Sequence, residues 1–194
     1  MLLWATAGVP PTAAEDAARP RGRSTEDLIE DLGRIDPRAR QSAARALGNV
    51  GDRGLPAVPA LAAALTDEDH GVRLEAARTL RALAPDTRAA IPALTRALDD
   101  HFSDVQIESA YALGAIGPEA REAVPALIHA LGDRQARMAA AWALGNIGSA
   151  ARDALVVLER LRDGESDPKK RSELEWAIER VRWRKPARGD GAER

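Results

Sequence analysis

The sequence predicts an all-α fold, a right-handed solenoid of about five stacked helical hairpins. Leu28, Leu61, Leu94 and Leu127 recur every 33 residues, and Leu47, Leu80 and Leu113 keep the same interval. A period of that size marks helical hairpins that cannot bury their apolar faces alone and stack to share one core. Ala and Leu dominate the periodic segments while aromatics make up only 3% of the chain, a bias that suits helices with closely approaching axes. Strand-like alternation of β-branched residues is missing, which leaves no sheet to pack against.

Residues 1–23 are rich in Pro, Ala and Gly and carry no period, so a disordered leader is expected there. Met1-Leu2-Leu3-Trp4-Ala5, followed by Ala5-Thr6-Ala7 or Thr12-Ala13-Ala14, is similar to the end of a secretory signal. It lacks a basic n-region, and its apolar run is short. A cytoplasmic protein is therefore expected, with export as the alternative if residues 1–14 are a signal remnant. No stretch is apolar for long enough to span a bilayer.

The array is expected over 24–183. Ser24-Thr25-Glu26-Asp27 matches a capping box at the start of the first helix. First helices then centre on Leu28 to Leu32, Leu61 to Leu65, Leu94 to Leu98, Leu127 to Leu131 and Leu155 to Leu161. Pro59, Pro92 and Pro125 share one register in three of them, which means either a first-turn position or a repeated kink. Second helices read as Ala39 to Val50, Val72 to Leu83, Val105 to Ile116, Ala136 to Ile147 and Lys170 to Val181. Gly51, Gly117 and Gly148 stand where a helix carboxyl cap belongs. Gly48, Gly114 and Gly145 fall inside the helices, where glycine costs about 1 kcal/mol relative to Ala and implies close helix contact. In the fifth unit Glu175, Glu179 and Arg182 replace Ala or Gly, as expected of a polar terminal cap. A disordered basic tail with Arg184, Lys185 and Arg188 is expected over 184–194.

With 28 Lys+Arg against 30 Asp+Glu the formal charge is −2, so no nucleic-acid partner is expected. The chain has no cysteine, which excludes thiol catalysis, disulfides and thiolate metal sites. It also has no Gly-rich phosphate loop.

Val72-Arg73-Leu74-Glu75-Ala76-Ala77-Arg78-Thr79-Leu80, with Ala112-Leu113-Gly114-Ala115-Ile116-Gly117 and Val124-Pro125-Ala126-Leu127, resembles the HEAT repeat in its short bacterial form, the phycobilisome-lyase HEAT-like repeat. The resemblance covers about residues 24–183. The ankyrin Thr-Pro-Leu-His signature and the tetratricopeptide Trp/Gly/Tyr pattern are both missing. The resemblance implies a ladder tying adjacent turns, here Asp67, Asp100 and Asp133 with Arg40, Arg73, Arg137 and Arg171, Gln106 standing in the arginine column. It also implies that second helices line an inner, concave wall. HEAT-like hydroxylases hold iron through His-Glu dipeptides, which this chain lacks, and its three histidines, His70, His101 and His129, are sparse. Neither a metal nor a cofactor is expected.

Counted from the start of each second helix, the seventh position reads Arg45, Arg78, Tyr111, Trp142, Trp176 and the third Gln41, Leu74, Ile107, Met138, Ser172. Positions three and seven share a helical face. The candidate binding groove is therefore Arg45, Arg78, Leu74, Ile107, Tyr111, Met138 and Trp142, grading from cationic to apolar. Aromatics beside Arg are enriched in binding hot spots. Two readings of the indoles stand: Trp142 and Trp176 line the groove, or they pack between units, Trp176 being the more structural of the two. The expected function is a monomeric protein-interaction scaffold without catalysis, holding a peptide or helix whose acidic end meets Arg45 and Arg78. The alternative is a bilin-lyase-like or other HEAT-like enzyme or enzyme subunit.

Overall fold

A computed structural model describes residues 23–183; the rest of the leader and the basic tail lie outside the described residues. Among the described residues ten α-helices form five hairpins: α1 (Thr25–Asp31) with α2 (Pro37–Asn49), α3 (Val58–Ala64) with α4 (His70–Ala82), α5 (Ile91–Ala97) with α6 (Ser103–Ile116), α7 (Val124–Ala130) with α8 (Arg137–Ile147), and α9 (Leu155–Gly164) with α10 (Pro168–Arg182). The fold is an all-α solenoid.

Local chemistry sets most of the helix ends. Ser24 and Asp27 form the reciprocal capping box on α1, satisfying two amide donors that the helix itself leaves free. Asp36, Asp69 and Asp167 cap α2, α4 and α10 by accepting backbone N–H bonds. The three in-register prolines all lie in the first turn of their helices, where the missing N–H has no partner to lose. Short 3-10 segments, such as Gly51–Ala57 and Gly117–Ala123, lead into them. Gly51, Gly117 and Gly148 adopt φ of 58°, 80° and 73°, a left-handed conformation that side chains resist.

Both leucine columns are buried, and Leu144 and Leu158 continue them into the later units. Leu144 follows Leu113 by only 31 residues (144−113), because the stretch from the end of α7 into α8 is two residues shorter than its counterparts and α8 is a shorter helix, 11 residues against 14 in α6. The second helices pack against one another along the whole array, whereas first helices meet largely through the 3-10 segments. Alanine rows on the second helices allow this approach, for example Ala43, Ala44, Ala76, Ala77, Ala139 and Ala140, all buried. On the last helix Leu174, Ala177, Ile178 and Val181 turn inward while Glu175, Glu179 and Arg182 stay exposed. Among the described residues no helix is long and apolar enough to cross a membrane.

Candidate binding cleft on the second-helix face

The arginine column ties each turn together, yet only two full rungs form. Arg40 donates to both Asp67 carboxylate oxygens at 2.7 and 2.6 Å, and Arg73 to both of Asp100 at 2.7 and 3.0 Å. These forks are bidentate, the strong form of the contact. The hydrogen bonds that each guanidinium donates to its carboxylate raise the arginine pKa above its ordinary value. Burial pushes the Asp100 carboxyl upward, but the Arg73 hydrogen bond and the Phe102 N–H outweigh it and hold the group low.

The expected places of Asp133 and Arg137 in the ladder are corrected. Gln106 occupies the arginine column and donates instead to the Asp100 carbonyl at 2.7 Å. Asp133, in the turn before α8, accepts instead from Gln135 and Ala136 N–H at 2.6 and 3.0 Å. Arg137 then reaches only carbonyls of its own turn, Leu131 O at 2.9 Å and Gly132 O at 3.5 Å. Arg171 similarly binds Glu165 O.

His70 bonds Asp104 at 2.9 Å and stacks on Phe102 with ring centroids 4.1 Å apart. His129 lies 3.8 Å from Asp99. Among the described residues no group of three His, Cys, Asp or Glu side chains is placed to hold a metal.

The expected cationic end of the groove is also corrected. Arg45 pairs with Glu75 at 2.8 Å; Arg78 meets Glu75 at 3.4 Å and Glu108 at 3.3 Å, and Arg81 reaches Glu108 at 3.1 Å. The three guanidiniums there share two of the chain's own carboxylates, Arg45–Glu75, Arg78–Glu108 and Arg81–Glu108 crossing between adjacent units and Arg78–Glu75 lying within α4. Glu75 and Glu108 stand 33 residues apart (108−75), so the same period that located the arginines marks their partners.

Beyond these pairs the face turns apolar. The Arg81 guanidinium sits 5.7 Å over the Tyr111 ring, within cation–π range. Tyr111 meets Trp142 edge-on, centroids 5.4 Å apart and planes at 72°. Each indole rests on an interior glycine of the preceding second helix: a Cβ on Gly114 would lie 2.5 Å from Trp142 Cζ3, and one on Gly145 would lie 2.6 Å from Trp176 Cζ3. The other side of each ring is open, with Trp142 37% and Trp176 38% exposed. The two readings of these aromatics thus describe opposite sides of the same side chains.

Tyr111, Met138, Trp142, Ser172, Glu173 and Trp176 line a cleft of about 410 Å³. The candidate set thereby divides. Tyr111, Met138 and Trp142 come together; Leu74 and Ile107 pack partly buried against the core; Arg45 and Arg78 stand apart in their ion pairs. Trp176 and Ser172, on the same two columns, complete the cleft, while Glu173 belongs to neither column and only the α8–α10 packing brings it in.

Stacked hairpins with one continuous core and an open cleft on the second-helix face define a repeat protein with a surface suited to recognition. HEAT repeats match residues 25–114 and again 91–179; the chain belongs to the HEAT-repeat family. No curated protein matches it. Among solved structures, an engineered protein from the Northeast Structural Genomics Consortium is 31% identical, with 81% of this chain and 78% of that one covered and a TM-score of 0.66. The complex of CpcE and CpcF of phycocyanin lyase from Nostoc sp. PCC7120 is 27% identical over 89% of this chain and 70% of that one, with a TM-score of 0.71. A designed armadillo repeat protein in complex with the peptide (KR)4 shares the fold at 19% identity, 81% of each chain covered and a TM-score of 0.70.

Proposed function

We propose that this protein is a non-catalytic interaction module that holds a peptide segment of a partner protein along its second-helix face. The observation that carries this reading is the cleft of about 410 Å³ between Tyr111, Met138, Trp142 and Trp176. Half-exposed indoles, anchored on one side by glycine, are rigid apolar surface that needs little ordering on binding, the property that concentrates binding energy in Trp and Tyr. The sequence-level expectation of an acidic end docking on Arg45 and Arg78 is dropped, since Glu75 and Glu108 already engage both.

A displayed random-peptide library, panned on the full chain and on its Trp142→Ala variant, tests the reading. The wild type should enrich a related set of peptides that the variant fails to enrich. Enrichment of the same set by both proteins would overturn it. The likeness to the CpcE and CpcF complex favours a second reading, a subunit of a lyase-like assembly. Co-expression with a bilin and an acceptor protein, read as visible absorbance on the acceptor that depends on this chain, would support that one instead.

A further inference from the structure

The cleft has one charged lining residue, Glu173, and the rest of its wall is aromatic ring, thioether and hydroxyl. We propose that its occupant is a cationic side chain, lysine or arginine, presented by a basic peptide segment; this rests on the reading of the cleft as a peptide site. Aromatic faces carry negative potential, and a cation within about 6 Å of a ring centroid is attracted by the ring quadrupole. Tyr111 and Trp142, at 72° to one another, form a corner that offers ring surface from two directions, and Trp176 adds a third ring.

The chain already makes this contact once, one unit earlier. Arg81 lies over Tyr111, and Arg81 occupies the position that Gly114 and Gly145 take in the next two units with glycine: each directly follows a core leucine, Leu80, Leu113 or Leu144. At Gly114 and Gly145 the helix backbone itself lies against the inner side of the indole, and among the described residues no cation of the chain sits over Trp142 or Trp176.

Charge along the face points the same way. Arg45, Arg78 and Arg81 are engaged by Glu75 and Glu108, whereas Glu173 is exposed and makes no ion pair among the described residues. An acidic ligand in the cleft would meet the like charge of Glu173, and a purely apolar one would leave that carboxylate without a partner. A lysine or arginine satisfies both parts of the cleft, its stem against Met138 and the indoles and its charged end toward Glu173.

The test uses the full-length protein and three fluorescein-labelled, end-blocked dodecapeptides: lysine alternating with serine, norleucine with serine, and glutamate with serine. Anisotropy titrations are run at low and at physiological salt. The lysine peptide should bind more tightly than the norleucine peptide by roughly three- to thirtyfold, the span of a cation–π contact. Glu173→Gln, a substitution at an exposed position that leaves the fold intact, should weaken the lysine peptide roughly three- to tenfold and flatten its salt dependence. Norleucine binding as tight as lysine, tighter glutamate binding, no lysine binding, or indifference to Glu173→Gln would each overturn the cationic occupant. If norleucine binds and Trp142→Ala abolishes it, the cleft remains a peptide site and only the charge assignment falls. If the lysine peptide binds but ignores both Trp142→Ala and Glu173→Gln, the cleft is not its site and both readings fall.

Discussion

The Trp142 indole lies so close to the Gly114 backbone that a methyl group at position 114 would stand 2.5 Å from the ring and 2.8 Å from Ala143 Cα. The second of these contacts is with backbone, so rotating the indole away cannot relieve it. Gly114→Ala should therefore destabilise the array by about 1–3 kcal/mol through overpacking, despite the better helix propensity of Ala. Gly48→Ala meets the Thr79 side chain and no backbone, its nearest atom Oγ1 at 3.1 Å, and should cost clearly less. Urea unfolding of the pair decides it; equal stabilisation by both would show that the α6–α8 interface does not need glycine.

Leu80 and Leu113 are fully buried in the shared core. Leu80→Ala and Leu113→Ala should each destabilise the array by about 2–5 kcal/mol, lost transfer energy plus the cavity left behind. Because neighbouring units support one another, the loss should appear as a shifted midpoint of the whole transition. A change below about 1 kcal/mol, the size seen at exposed positions, would contradict the stacking described here.

The Arg73–Asp100 rung makes a pH prediction. The folded Asp100 carboxyl is held below its ordinary value, so it binds fewer protons than the unfolded chain as pH falls. Its stabilising contribution is fully present above about pH 4, the unfolded carboxyl value, and is lost as pH drops through the folded one. Asp100→Asn should cost about 1.5–3 kcal/mol at neutral pH by removing a charged hydrogen-bond pair. It should also flatten the acid limb of the stability profile. An unchanged acid limb in Asp100→Asn, followed by circular dichroism in urea between about pH 2 and 7, would assign the acid sensitivity elsewhere.

Trp142 serves two surfaces, and its truncation should register on both. With one side on Gly114 and 37% of its area exposed, Trp142→Ala should cost about 2 kcal/mol of stability, below the roughly 3–5 of a fully buried aromatic. Affinity for peptides selected on the wild type should fall by about 2 kcal/mol or more, through faster dissociation. Calorimetry and surface plasmon resonance on one preparation separate the two effects. A stability loss at the upper figure with affinity retained would make the residue a core group.

Spacing alone located what every unit repeats: the leucine columns, the prolines of the first turn, the left-handed glycines and the interior glycines. These answer to the backbone geometry of one hairpin and to its contact with an identical neighbour, so each recurs at the same register. The columns also led to Tyr111, Met138 and Trp142, since the side chains of one helical face are set by the helical period. Pairing between units was not legible in this way. Arg45 and Arg78 read as free cations until folding set Glu75 and Glu108 against them, and Asp133 read as a rung until Gln106 turned to the Asp100 carbonyl and Asp133 to the backbone of its own turn. Glu173 entered the cleft only through the packing of α8 on α10. A period states where a side chain stands on its own helix, and only the stacking of helices states what it meets there, because charge pairing and cleft shape depend on distances between units.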